Sequence, residues 1–182
     1  MSVMIGSTRL ELVQGDMTQQ DVEAIGNAAN SRLAGGGGVD GAIHRAGGPA
    51  IKQELKATHP EGCPTGQAVM TLGGQLKTKY VLHAVGPVYS GKSKDTELLA
   101  GAYRSCLLLC TQHGIRSVAF PSISTGVYGY PIEEAAPIAI RTVAEYLIAH
   151  PDITLVRFVL FDAKTLDAYQ RALTSWQQRR AS

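Results

Sequence analysis

Apolar and polar residues alternate through RLELVQG (residues 9–15) and the pattern stops at Gly15-Asp16, which predicts a strand near a sheet edge. VEAIGNA (22–28) predicts a second, short strand. Residues 40–57 carry a helical pattern that Gly47-Gly48-Pro49 should weaken or interrupt, because proline lacks a donor and crowds the preceding turn. QAVMTLG (67–73) and KYVLHAVG (79–86) are rich in β-branched and aromatic residues, and the short glycine-containing gap between them predicts antiparallel neighbours. A long helix follows, with Asp95 as its expected cap, Leu98, Leu99, Ala102, Cys106, Leu109 and Cys110 on its inner side, and Gly114 as its stop. SVAFPSI (117–123) is continuously apolar, as in a strand covered on both faces. A further helix should run between Pro131 and Pro151, starting late or kinking at Pro137. TLVRFVLFD (154–162) is the last expected strand, and Leu166, Tyr169, Leu173 and Trp176 form the buried stripe of a final helix.

Strands alternating with helices predict a layered α/β domain with a mixed, mostly parallel sheet. No repeat, linker or low-complexity tract divides the 182 residues, so a single domain over 1–182 is expected. In such folds ligands bind beyond the carboxyl ends of the strands. Four loops meet that condition: Gly15-Asp16-Met17, Asn27 to Asp40, Ser122 to Pro131, and Phe161-Asp162-Ala163.

Composition narrows the chemistry a little. A hydrophobic content of 45%, 18% charged residues and a net charge of +2 describe an ordinary globular chain and give no sign of nucleic acid binding. The tail Arg179-Arg180 reads as a helix end and not as a binding patch. No stretch approaches the ~18 apolar residues of a membrane span, and MSVMIGSTRLEL lacks the pattern of a signal peptide. Three cysteines without framework spacing suit a reducing cytoplasm. Cys106, Cys110 and His113 lack a fourth ligand at sensible spacing, so the cysteines are expected to be buried thiols; no metal and no cofactor is expected.

The glycines carry the stronger signal. Gly35 to Gly38 run into Val39, Asp40 and a helix, and without side chains their amides can converge on an anion. Gly126-Val127-Tyr128-Gly129 offers a second such surface before another helix start. Two amide-rich loops suit a diphosphate. No Lys-Ser or Lys-Thr follows the glycine run, which excludes a P-loop, and the dinucleotide fingerprint lacks its acidic residue on the next strand. Asp16 could accept a hydrogen bond from an exocyclic amine or serve as a turn aspartate. Asn27 and Asn30 could meet sugar hydroxyls or tie their loop to itself. Tyr128 could cover a ribose or anchor its loop. His44 is expected to pack or cap, and His83 to be a satisfied core histidine.

GDMT (15–18), NAAN (27–30), GGGGVDGAIHRAGGP (35–49), CPTGQAVMT (63–71), HAVGP (83–87) and PSISTGVYGYP (121–131) occur in an order that resembles the macrodomains, more narrowly the MacroD-type hydrolases that include bacterial O-acetyl-ADP-ribose deacetylases. The likeness runs from Leu10 to Tyr169. It implies a three-layer α/β/α sandwich that binds ADP-ribose and its O-acyl derivatives and, by extension, ADP-ribosylated proteins. It places Asp16 and the Met17 amide at the adenine, with Phe161 beside it. Gly37, Gly38 and Val39, with Ser124, Thr125, Gly126, Val127 and Tyr128, would hold the diphosphate and distal ribose, and Asn30 that ribose, with Asn27 nearby. Asp40 would act on a water that attacks an ester on the distal ribose, or on the ribose hydroxyls while a diphosphate oxygen positions the water. A binding module without turnover and an ADP-ribose 1″-phosphate phosphatase are the alternatives. Two positions depart from the family pattern: Gly26, where valine is usual, which should weaken its strand and leave room beside the pocket, and Pro137 within a helix.

Overall fold

The computed structural model describes residues 1–182. Its strands are β1 (Ser2–Ile5), β2 (Thr8–Gln14), β3 (Ala24–Ala29), β4 (Ala68–Leu72), β5 (Tyr80–Val85), β6 (Ser117–Phe120) and β7 (Leu155–Leu160). Its helices are α1 (Gly38–Gly47), α2 (Pro49–Thr58), α3 (Lys94–Gln112), α4 (Ile132–Ala149) and α5 (Ala163–Ala181). One seven-stranded sheet has the order β1-β2-β7-β6-β3-β5-β4. Its five inner strands are parallel, and the outermost pairs, β1 with β2 and β4 with β5, are antiparallel.

Inward residues alternate between two cores, one on each face of the sheet. The larger cluster joins Leu82 and Ala84 of β5 and Phe120 and Phe158 to α3, α4 and α5. The smaller joins Ile25, Val81 and Val85 to Ile43, Ile51 and Leu55 of α1 and α2. The period of two in β5 therefore turns His83 toward the face that α1 covers. The architecture is the expected three-layer α/β/α sandwich.

Several details differ from the expectations. β2 lies next to the edge, as expected, but the edge itself is the four-residue β1, too short to show as a pattern. Asp95 lies inside the first turn of α3, whose cap position is Ser93, and its carboxylate instead accepts hydrogen bonds from the Ser90 and Gly91 amides and the Ser90 hydroxyl. Tyr103 and Leu107 complete the inner face of α3, while Leu98 and Leu109 are only half-buried. α4 starts directly after Pro131 and runs unbroken through Pro137, whose ring is exposed on the outer side. Gly48 does interrupt the segment after Asp40, with Pro49 opening α2 at the first helical position. Gly26 leaves no vacant space: a β-carbon there would lie 2.8 Å from the Phe120 ring, which fills the volume.

Candidate functional site

Loops leaving the carboxyl ends of β2, β3, β6 and β7 surround a cavity of about 890 Å³. The start of α1 forms one wall. Gly35 and Gly38 adopt positive φ values of 82° and 58°, which lets the chain turn sharply into the helix. The amides at the beginning of α1 lack partners one turn earlier and, with the helix dipole, favour an anion. Gly41 must lack a side chain for a different reason: a β-carbon would lie 2.4 Å from the Gly36 carbonyl oxygen, so Gly41 lets the glycine loop fold down onto its own helix.

The opposite wall is the segment from Pro121 to Tyr128. Its shape is held from below. The Tyr103 hydroxyl accepts from the Ile123 amide at 2.9 Å and donates to the Pro121 carbonyl at 3.1 Å, while the Tyr169 hydroxyl donates to Ser122 Oγ at 2.8 Å. Ser124 is held at φ 68°, a conformation that costs a non-glycine residue energy. Its hydroxyl is buried without a protein partner. At the rim, Val127 is 97% exposed and Phe161 82% exposed, two large apolar side chains with no core to enter.

Asp16 serves as the expected turn aspartate and also lies at the cavity. Its Oδ1 accepts from the Thr18 amide at 2.9 Å and the Thr18 hydroxyl at 2.7 Å, capping a short 3-10 turn, and the residue lines the cavity beside Met17. Asn30 ties its own loop: its amide donates to the Gly35 carbonyl at 2.9 Å and its oxygen accepts from the Ala34 amide at 3.1 Å. It still lines the cavity, as do Gly37, Gly38, Val39, Ser124, Thr125, Gly126, Val127, Tyr128 and Phe161. Asn27 does not. It is fully buried behind the wall.

Asn27 touches Asp40 instead. Asp40 lines the cavity yet is only 5% exposed. Its Oδ1 accepts a hydrogen bond from Asn27 Nδ2 at 2.8 Å and lies 3.3 Å from His44 Nε2. Oδ2 is left without a protein donor, beside Gly36. Burial favours the neutral form of this carboxyl and by itself raises its pKa, but the hydrogen bonds from His44 and Asn27 and the electrostatic influence of His44 outweigh it, so the pKa lies below the ordinary aspartate value. Asp40 is thus an anion held by one oxygen, with the other available at the cavity.

Pattern reasoning undervalued His44, whose ring meets the carboxylate one turn earlier on α1; the i, i+4 spacing was the available signal. Thr18, Gly86 and Lys164 also line the cavity without having been singled out: Thr18 and Gly86 fall within the GDMT and HAVGP motifs, and Lys164 directly follows the last of the four loops. Cys63, Cys106 and Cys110 are buried free thiols, and burial raises the pKa of all three. No group of three or more His, Cys, Asp or Glu side chains is arranged to hold a metal ion. No helix is long and apolar enough to cross a membrane.

Comparison with known proteins agrees with this geometry. Residues 26–139 match the family model of the Macro domain. The O-acetyl-ADP-ribose deacetylase of Salmonella typhimurium strain LT2 is 50% identical over 171 residues, covering 92% of this chain and 96% of that protein. Among solved structures, the Oceanobacillus iheyensis macrodomain with ADP superimposes with a TM-score of 0.93 at 43% identity, covering 98% of this chain and 97% of that one. The Trypanosoma brucei macrodomain in complex with ADP-ribose gives a TM-score of 0.85 at 40% identity, covering 90% of this chain and 68% of that one. With the family model matched over more than half of its length and a relative 50% identical over 92% of it, the chain belongs to the macro domain family.

Proposed function

We propose that the protein is an ADP-ribose-binding hydrolase that removes acyl groups from the distal ribose, both from O-acetyl-ADP-ribose and from ADP-ribose esterified to acidic side chains. The observation that carries this reading is Asp40, a carboxylate kept ionised at the mouth of a glycine-rich helix start with one oxygen free. A module that only binds the nucleotide has no need of a buried anion between its phosphate cradle and the cavity.

In this reading Asp16 meets the adenine amine, supported by the Met17 amide, and the exposed ring of Phe161 covers the base. The amides of Gly37, Gly38 and Val39 face those of Ser124 to Tyr128 across the diphosphate, and Asn30 meets the distal ribose. That leaves the acylated end of the sugar beside Asp40. Attack by water on the ester carbonyl places negative charge on the carbonyl oxygen, which backbone amides at the helix start can stabilise. Asp40 Oδ2 orients either the attacking water or a neighbouring ribose hydroxyl. Its lowered pKa makes it a weak ground-state base, so its main contribution is direction and charge, with the proton accepted only as the carbon–oxygen bond forms.

The test is a side-by-side assay of the protein on O-acetyl-ADP-ribose, on a peptide carrying ADP-ribose on glutamate, and on ADP-ribose 1″-phosphate, with acetate, ADP-ribose and phosphate release followed separately. Acetate and ADP-ribose release without phosphate release is the expected outcome. Phosphate release alone would assign the pocket to phosphatase chemistry, and binding without any product would reduce it to a reader.

A further inference from the structure

Asn27 Nδ2 spends its two hydrogens on two acceptors, Asp40 Oδ1 at 2.8 Å and His83 Nδ1 at 3.1 Å. Asn27 and His83 are register partners on the parallel strands β3 and β5, fully buried on the face that α1 covers. His83 continues the chain of contacts outward. Its Nε2 lies 2.9 Å from Thr71 Oγ1 on β4, and that hydroxyl donates its only hydrogen to the Leu72 carbonyl at 2.9 Å.

The donor count fixes the direction of every bond. Thr71 has no hydrogen left, so it accepts from His83 Nε2–H. The neutral ring then presents a lone pair at Nδ1, which can only accept, so the Asn27 carboxamide must turn its NH2 toward the ring. The same NH2 then meets Asp40. Turning the amide over would set Asn27 Oδ1 against the Asp40 carboxylate, and in the observed orientation Oδ1 has no partner at all. An unpaired buried carbonyl is tolerated so that the nitrogen can face the anion.

We propose that His83 is a positioning residue for hydrolysis: by holding the Asn27 carboxamide in one orientation, it directs a hydrogen-bond donor onto Asp40 Oδ1 and so reserves Oδ2 for the substrate side. This role assumes Asp40 to be the hydrolytic carboxylate proposed above. Burial and the nearby His44, with a smaller effect of His59, keep His83 neutral, with its pKa pushed down to about 3 despite the opposing charge of Asp40, so the ring does not change its bonding pattern across the physiological range. The groups facing Asp40 are His44 from α1, Asn27 from β3 and His83 from β5.

The test compares His83→Leu, which removes the acceptor, with His83→Asn, whose Oδ1 takes the place of the ring Nδ1. In His83→Leu, kcat on O-acetyl-ADP-ribose should fall roughly tenfold, the worth of one hydrogen bond to a charged group. The acid limb of the pH–rate profile should move to higher pH, with KM and ADP-ribose affinity changed less than about twofold. His83→Asn should recover most of the lost rate. Equal losses in both variants, or a rise in KM with kcat unchanged, would overturn the role. Two readouts do not depend on turnover. Nitrogen NMR of the wild-type protein should find the His83 proton on Nε2, and carbon NMR should find Asp40 titrating at higher pH in His83→Leu than in wild type or His83→Asn. A proton on Nδ1 in the wild type rejects the inference even if neither variant folds, and an Asp40 titration indifferent to His83 rejects it even if the wild type hydrolyses nothing. A wild type that hydrolyses nothing while both NMR signatures hold would reject the assignment of Asp40 and leave the orienting network standing.

Discussion

Gly26 separates what spacing can tell from what packing decides. As a sequence it suggests a slack strand; in the fold, Phe120 and Pro121 occupy the space where a side chain would sit, and Phe120 is fully buried against Tyr103 and Phe158. Restoring the valine usual in the family should therefore destabilise this chain by roughly 1–3 kcal/mol through overpacking. Chemical denaturation of Gly26→Val checks this, and an unchanged or raised midpoint would contradict it. Gly41 belongs to the same scale. Gly41→Ala should push the Gly36 carbonyl outward and weaken ADP-ribose binding more than it lowers stability, measurable by calorimetry beside thermal denaturation. Asp40, Asp16 and the glycines were legible because each combines an unusual residue with a loop position. Asn27 was not, because its spacing says only that it is near the loop; that it faces inward, toward His83 and Asp40, follows from strand register and from which side of β3 the helix α1 covers.

At the scale of elements, the order of strands and helices from β2 onward followed from hydrophobic patterning and residue type with glycine and proline as breaks, and the hairpin of β4 and β5 from its glycine gap. What period could not supply was the edge: β1 has four residues, too few to show alternation, and its pairing along β2 is a property of the sheet. Nor could it show that α3 and α5 reach beyond packing. Tyr103 and Tyr169 contribute rings to the core and hydroxyls to the loop that forms one wall of the cavity. Tyr103→Phe keeps the ring and removes the hydroxyl, leaving the Ile123 amide buried without an acceptor. The expected cost is about 1–3 kcal/mol of stability. Faster amide exchange should appear at residues 121–128 while α3 itself stays protected. Uniform exchange changes across the helices would argue against a loop-anchoring hydroxyl.

For the whole molecule, the buried polar column from Thr71 to Asp40 ties stability to pH. The pKa of His83 is about 3 when folded, against an ordinary value of 6.5, so between these values the unfolded chain binds the extra proton. Its contribution is complete above pH 6.5 and is lost progressively as pH falls toward 3. Asp40 acts in the same direction at lower pH, since its depressed pKa gives stability that is present above the unfolded value and lost as pH falls through the folded one. Between pH 7 and pH 4.5 the His83 share amounts to roughly 2–3 kcal/mol. Urea denaturation at both pH values should show the wild type losing this much more stability than His83→Leu, and parallel losses would place the acid sensitivity elsewhere.

The central claim is that one buried carboxylate separates turnover from binding in this pocket, and Asp40→Ala tests it most directly. ADP-ribose affinity by calorimetry and O-acetyl-ADP-ribose turnover are measured on the same preparation, beside wild type. The account predicts affinity within a few-fold of wild type and a loss of about 10²–10⁴ in kcat; full turnover in the variant, or affinity and turnover lost together, would contradict it.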